Sequence, residues 1–134
     1  MVCVLCSSET QVINSRPQKS LNQVWRRRKC LNCAFIFSTH EVAQYDSIWT
    51  VTSSKHVVAA FSRDKLLLSI YKSCQHRDTA LVDAGGLVGT IISKLHQSAH
   101  SNVIDARVIV QTTEIALNRF DNAASVHYRA FHRK

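Results

Sequence analysis

Two Cys-x-x-Cys pairs constrain this chain more than any other feature of its sequence. Cys3 and Cys6 form the first pair, and Cys30 and Cys33 form the second. The two-residue spacing lets a tight turn bring both sulfur atoms of a pair to one ion. Four thiolates suit Zn(II) or a rubredoxin-like iron, and zinc is favoured because nothing beside the cysteines indicates an electron-transfer partner. We therefore expect one Zn(II) per chain, with metal-free redox or structural cysteine pairs as the alternative.

The fifth cysteine, Cys74, stands alone in an apolar helical pattern and is expected to belong to a core. A secreted disulfide framework would leave no cysteine over, so the pattern favours a reducing compartment. No apolar run approaches the roughly 18 to 20 residues that span a bilayer, and no signal peptide opens the chain. We expect a soluble cytoplasmic protein with no membrane partner.

The composition changes near residue 45, which divides the chain into two predicted domains. Residues 1–45 hold four cysteines but only short strand-like stretches, so a metal must stabilise this part as a small ribbon of antiparallel strands. Residues 46–134 begin with a predicted β-hairpin, formed by residues 48–52 and 57–61. Four helices are predicted to follow, over 63–76, from 79 to about 100, over 105–120 and after 121. Ser62, Asp105 and Asp121 are the predicted N-caps of the first, third and fourth. The fold class is therefore α+β.

A basic cluster directly precedes the second cysteine pair. The chain has 17 Lys plus Arg against 9 Asp plus Glu, a formal charge of +8, and four of the cations are the consecutive residues Arg26, Arg27, Arg28 and Lys29. Side chains alternate along a strand, so only two or three of the four can reach one ligand. Guanidinium groups match phosphates, and the adjacent Trp25 offers a stacking surface. Nucleic acid is the predicted partner; the alternative is that these cations only offset the thiolate charge on an exposed strand.

The sequence gives no sign of catalysis. No acid/base pair or activated nucleophile stands out among its histidines, carboxylates and cysteines. The glycine-rich segment 85–89 lacks the Lys-Ser/Thr that completes a phosphate-binding P-loop. We predict a protein that is not an enzyme.

Several segments together resemble the NrdR family, bacterial transcriptional repressors of ribonucleotide reductase genes. The resemblance is carried by residues 1–6, 12–17, 26–33 and 37–41, and more weakly by 61–66, 73–77 and 117–121. It implies a zinc ribbon followed by an ATP-cone, a small nucleotide-binding domain. It also implies a homo-oligomer that binds a double-stranded DNA operator and responds to ATP or dATP, in the bacterial cytoplasm and at the nucleoid.

The residues and the resemblance together give two sets of candidate site residues. The DNA-binding candidates are Arg16, Arg26, Arg27, Arg28 and Lys29. The nucleotide-binding candidates are Val51, Ser53, Lys55, Lys65, His76 and Arg77.

The chain departs from the family pattern where the nucleotide is held. The family has a Val-Lys pair on the first strand of the cone, where this chain has Thr52 and Ser53, and an Arg-Glu pair where it has Val58 and Ala59. Because a triphosphate needs several cations or N–H donors, we expect weaker nucleotide binding than in a fully equipped cone. The alternative function is a zinc-ribbon protein-interaction module with a degenerate cone that no longer binds nucleotide.

Overall fold

The computed structural model describes residues 1–53, 57–99 and 101–132. Within it the chain forms two compact units, residues 1–43 and residues 44–134, and each is considered separately. The predicted α+β class, with antiparallel strands around the cysteines and a sheet with helices after them, is confirmed.

The first unit is a three-stranded antiparallel sheet in the order β1-β2-β3. The strands are β1 (Thr10–Gln18), β2 (Gln23–Cys30) and β3 (Ile36–Val42). A 3-10 turn over Lys19–Leu21 joins β1 to β2, and the register of that pair shifts between Val12 and Asn14. The strands extend beyond the short apolar stretches that predict them. Most of their residues are polar and exposed, so the sequence carries no apolar pattern that marks the full length.

This sheet encloses no apolar core. Of residues 1–43, all of which the structure describes, only Cys3 and Cys30 are buried. An antiparallel sheet normally packs one face against apolar side chains, and here the sulfur cluster takes that place. The expectation that a metal stabilises this unit rests on this lack of a core.

The second unit combines a small sheet with helices. Its strands are β4 (Thr50–Thr52), β5 (Val58–Ala60) and β6 (Val103–Asp105), in the order β5-β4-β6. Its helices are α1 (Tyr45–Ile48), α2 (Arg63–Ser73), α3 (Ala80–Ser98), α4 (Ala106–Phe120) and α5 (Asn122–His132). The β4–β5 pair is antiparallel, as the predicted hairpin requires, whereas β4 and β6 run parallel.

Three details of the second unit differ from the sequence prediction. The sheet has a third strand, β6, which is too short to leave an alternating pattern and pairs only with a distant part of the chain. The short helix α1 precedes the sheet. Helix α2 ends at Ser73 rather than at His76, because Cys74 leaves the helical conformation and acts as the C-cap.

The three predicted helix caps are present. Ser62 Oγ accepts a hydrogen bond from the backbone N–H of Lys65 at 3.2 Å, at the start of α2. Asp105 Oδ1 accepts from the N–H of Arg107 at 2.8 Å, at the start of α4. Asp121 Oδ1 accepts from the N–H of Ala123 at 2.8 Å, at the start of α5. Each cap satisfies an N–H that has no partner within its helix.

An apolar core supports the second unit. Its aromatic part is Tyr45, Trp49 and Phe61, with the Trp49 and Phe61 rings edge to face and their centroids 5.3 Å apart. Side chains from α2, α3, α4 and α5 complete it, including Ile70, Val88, Ile91, Leu95, Leu117 and Tyr128. Cys74 is fully buried in this core, as predicted, and burial raises the pKa of its thiol. No helix among the described residues is long and apolar enough to cross a membrane.

Candidate metal centre and nucleic-acid interface

The four cysteines of the first unit lie together as predicted. Their Sγ atoms all lie within 4.8 Å of one another. The Cys3–Cys33 distance is 3.7 Å, and the Cys6–Cys30 and Cys6–Cys33 distances are both 3.5 Å. A disulfide would place two sulfurs about 2.0 Å apart. Zn–S bonds of about 2.3 Å in a tetrahedron place thiolates about 3.8 Å apart, so this set fits one tetrahedral ion.

Each cysteine pair lies on a tight turn that ends in a left-handed residue. Ser7 has a φ of 57° and Ala34 a φ of 59°, the conformation in which glycine is usually found. The turns are closed by a hydrogen bond from the N–H of Ser7 to the carbonyl of Cys3 and by one from the N–H of Cys30 to the carbonyl of Phe35. These turns direct both sulfurs of each pair to one point.

Backbone N–H groups surround the sulfurs. Leu5 donates to Cys3 Sγ at 3.5 Å, and Asn32 and Cys33 each donate to Cys30 Sγ at 3.4 Å. Hydrogen bonds of this kind stabilise a thiolate relative to a thiol. Cys3 and Cys30 are buried while Cys6 and Cys33 are exposed, so a bound ion would be shielded on one side only.

The thiols of the cluster differ in acidity. Hydrogen bonding, chiefly from Ser8, lowers the pKa of Cys6 to about 6, and the backbone N–H of Leu5 contributes most to lowering the pKa of Cys3. The N–H of Phe35 favours the Cys33 thiolate, but the neighbouring cysteines outweigh it and raise the pKa of Cys33 to about 12. Without metal the cluster therefore keeps protons that a metal ion must displace on binding.

The register of β2 divides the basic cluster between the two faces of the sheet. Arg26 and Arg28 share one face because side chains alternate along a strand. Arg26 forms an ion pair with Glu41 of β3 at 2.9 Å, and Arg28 Nε donates to Thr39 Oγ1 at 3.3 Å. Arg26 is therefore neutralised within the ribbon, whereas Arg28 is held by a hydroxyl group and keeps its charge.

The opposite face carries cations without carboxylate partners. It presents Trp25, Arg27 and Lys29 of β2, together with Arg16, which pairs directly with Trp25 across the β1–β2 ladder. Arg16, Arg27 and Lys29 are exposed and form no ion pair among the described residues. We name this surface, formed by Arg16, Trp25, Arg27 and Lys29, the basic face.

The nucleotide candidates are distributed over several elements of the second unit. Val51 lies on β4 and packs against the core, and Ser53 follows that strand. Lys65 lies on α2 and lines a groove between α2 and α5. Gln75, just after α2, also lines this groove. Lys55 lies outside the described residues.

His76 and Arg77 take part in a network of ion pairs. Arg77 pairs with Asp83 at 2.8 Å and with Asp121 at 3.1 Å, and its guanidinium carbon lies 4.8 Å from the centre of the Phe120 ring. His76 Nε2 lies 3.0 Å from the same Asp121 carboxylate. Arg77 thus joins the start of α3 to the junction between α4 and α5. The sequence indicated Asp121 as a helix cap but gave no signal that it also pairs with Arg77.

This network stabilises the ionised form of its acids. The hydrogen bond from His76, the backbone N–H of Ala124 and the guanidinium of Arg77 lower the pKa of Asp121 to about 2. The hydroxyl of Thr79 and the guanidinium of Arg77 lower the pKa of Asp83.

Comparison with known proteins gives relatives along the whole chain. Residues 1–41 match the family model for the N-terminal domain of NrdR-like transcriptional repressors. A transcriptional repressor NrdR from Acetivibrio thermocellus is 30% identical over 100% of this chain and 88% of its own length. Proteins of the same name from Afipia carboxidovorans and Sinorhizobium fredii are 31% and 32% identical over 99% of this chain, each over 84% of its own length.

The cysteine cluster predicts that Cys30→Ser releases the metal. The variant should contain almost no zinc and its ribbon should unfold, because the ion supplies roughly 10 kcal/mol or more of folding free energy to a unit without a core. Zinc analysis by mass spectrometry measures the first effect, and hydrogen exchange of the backbone amides of β1, β2 and β3 measures the second. Cys74→Ala is the control and should keep its zinc. A zinc-loaded, folded Cys30→Ser ribbon would refute the four-thiolate assignment.

The Asp121 network predicts a pH-dependent contribution to stability. Because its folded pKa is depressed, the carboxylate stabilises the fold fully above about pH 4 and loses that effect as the pH falls towards 2. Asp121→Asn should therefore lower the Tm of the helical signal at neutral pH, and the difference from the unaltered protein should shrink over that window. Asp78→Asn, at an exposed position with no described ion pair, serves as control. Parallel pH profiles for the Asp121→Asn variant and the unaltered protein would contradict this.

Proposed function

The chain belongs to the NrdR family of transcriptional repressors, and we propose on that basis that it is a zinc-dependent, nucleotide-responsive DNA-binding repressor of ribonucleotide reductase genes. The relatives align with both units rather than with the ribbon alone. They carry the name of a transcriptional repressor, which supports a regulator rather than an enzyme. Such a repressor would act in the bacterial cytoplasm, at the nucleoid.

The observation that carries the proposal is the tetrathiolate cluster at the end of a strand that bears unpaired cations. Cys30 ends β2, and the same strand holds Arg27 and Lys29. Cys3, Cys6, Cys30 and Cys33 would hold the zinc ion, which supplies folding free energy and no reaction step. The metal fixes the strand, and the strand presents the cations.

We assign DNA binding to the basic face. Arg16, Arg27 and Lys29 are exposed there without carboxylates, and Trp25 adds a flat surface between them. Guanidinium and ammonium groups in such an array contact phosphates and release counterions. Arg26 is a weaker candidate because Glu41 neutralises it and would repel a phosphate brought to the same place.

This assignment predicts different effects for two neighbouring arginines. Arg27→Ala should weaken duplex binding and lower the slope of log affinity against log salt by about one unit, because one phosphate contact is lost. Arg26→Ala is the matched control and should change the slope little. Fluorescence anisotropy with a labelled duplex at several salt concentrations measures both, with zinc content checked for each variant.

Two results would contradict the assignment. An equal loss in Arg26→Ala would place DNA on the opposite face. A loss in Arg27→Ala that is confined to one duplex sequence, with an unchanged slope, would place that arginine on a base edge instead of a phosphate.

The regulatory part of the proposal concerns the second unit. ATP or dATP would bind there and change how chains associate, and the resulting homo-oligomer would set the spacing of the ribbons on operator DNA. Such coupling is a population shift in which the nucleotide favours one association state. The family relationship supports this role, and Val51, Ser53, Lys55 and Lys65 remain the candidate contacts.

The ion pairs of Arg77 favour an alternative function for the same unit. His76 and Arg77 are held by Asp121 and Asp83, so two of the candidate nucleotide contacts already have partners. If His76 and Arg77 do not contact a nucleotide, the second unit fits a degenerate cone. The whole chain would then be a zinc-ribbon interaction module that binds protein partners and no nucleotide.

Calorimetry with ATP and dATP separates the two functions. We expect weak, saturable binding that falls about tenfold in Lys65→Ala, the loss expected for one charge-assisted hydrogen bond, and that is unchanged in the control Lys94→Ala. Arg77→Ala should lower the Tm and leave the nucleotide affinity nearly unchanged, because the partners of Arg77 are carboxylates of its own chain. The absence of heat with either nucleotide would favour the interaction module.

A further inference from the structure

A groove of about 590 Å³ lies between α2 and α5, and neither the zinc site nor the basic face uses it. The α2 side carries a stripe of residues at the spacing i, i+3, i+4 and i+7, which is one face of a helix. That stripe consists of Lys65, Leu68, Ser69 and Lys72. The α5 side contributes His127, Phe131 and His132.

The centre of this groove is apolar and open to solvent. Leu68 is 56% exposed and Phe131 is 70% exposed, whereas Leu66 and Ile70 of the same helix are buried in the core. Two large apolar side chains that line one groove without covering each other mark a surface suited to contact with another molecule.

The ends of the groove are positively charged. Neither Lys65 nor Lys72 forms an ion pair among the described residues, and no carboxylate lines the groove. An occupant that complements this surface has an apolar centre and negative charge at both ends.

The spacing of the two lysines matches a helix. Seven residues at 1.5 Å per residue place Lys65 and Lys72 about 10 Å apart along α2, the distance between acidic residues seven positions apart on a second helix. The groove is also held in shape, because Ser69 Oγ lies 2.9 Å from His132 Nε2 and the rings of His127 and Phe131 lie with centroids 4.9 Å apart.

We propose that the α2–α5 groove binds an acidic amphipathic helix of a partner protein. An apolar side chain of that helix packs between Leu68 and Phe131, and two carboxylates one heptad apart pair with Lys65 and Lys72. This is helix-in-groove recognition with anchors at i, i+3 or i+4, and i+7. A second copy of the chain does not fit, because no helix that the structure describes carries more than one acidic residue.

A designed peptide tests the proposal with the full-length, zinc-loaded protein. The probe is a fluorescein-labelled helix of about 15 residues with two Glu one heptad apart and Leu between them, and the reference is a scrambled peptide of the same composition. Anisotropy should show saturable binding of the probe and at least about tenfold weaker binding of the scrambled peptide. Binding should also weaken as salt is raised.

Matched variants identify the groove as the site. Lys72→Glu should weaken probe binding about tenfold or more, while Lys94→Glu on α3 leaves it nearly unchanged. Leu68→Asn should weaken it, while the control Leu81→Asn, at a leucine of α3 that is 64% exposed, should not. A probe with Lys in place of both Glu should bind the Lys65→Glu, Lys72→Glu double variant. Circular dichroism confirms that each variant is folded.

Three outcomes would overturn the proposal. Equal binding of the probe and the scrambled peptide would show that general charge attraction suffices. Equal weakening by Lys72→Glu and Lys94→Glu would place the contact elsewhere. Unchanged probe binding in Leu68→Asn would show that the apolar centre of the groove takes no part.

Discussion

Coordination by four thiolates is the interaction on which the first unit depends. Only two of its residues, Cys3 and Cys30, are buried, and both belong to the cluster. Ordering a backbone costs about 1–2 kcal/mol per residue, and no apolar core opposes that cost here. An ion held by the four thiolates would do so, and Cys30 would join it directly to the end of β2. The second unit, which has a core of aromatic and aliphatic side chains, needs no such ion.

Ion pairing, as well as the alternation of side chains along β2, determines where the ribbon carries unpaired positive charge. Zinc with four thiolates carries a net charge of minus two, and the cations of β2 begin beside it at Lys29. Glu41 neutralises Arg26, so the run of four cations does not act as one patch. What remains for a polyanion is Arg28 beside Arg26 and the larger set on the opposite face, to which Arg16 is added from β1.

The features that could be predicted from the sequence are those fixed by nearby residues. The cysteine pairs, the caps at Ser62, Asp105 and Asp121 and the core position of Cys74 all follow from local spacing. Strand β6 could not be predicted, because three residues carry no period and the partner strand lies far away in the sequence. The alternation of side chains predicted that the arginines divide between two faces. Which of them forms an ion pair depends on Glu41 of β3, whose position the sequence does not show. Arg77 is a candidate nucleotide contact, and its ion pairs could not be predicted because a sequence shows a cation without showing the carboxylates that reach it.

The parallel pairing of β4 with β6 delays completion of the second sheet during synthesis. Helices α2 and α3 both lie between these strands, so β4 leaves the ribosome well before its parallel partner exists. Leu117 and Tyr128, which complete the core, are added later still. The ribbon has no such delay, because its last ligand is Cys33. The nascent chain therefore holds a complete metal-binding set before any strand of the second unit has been translated.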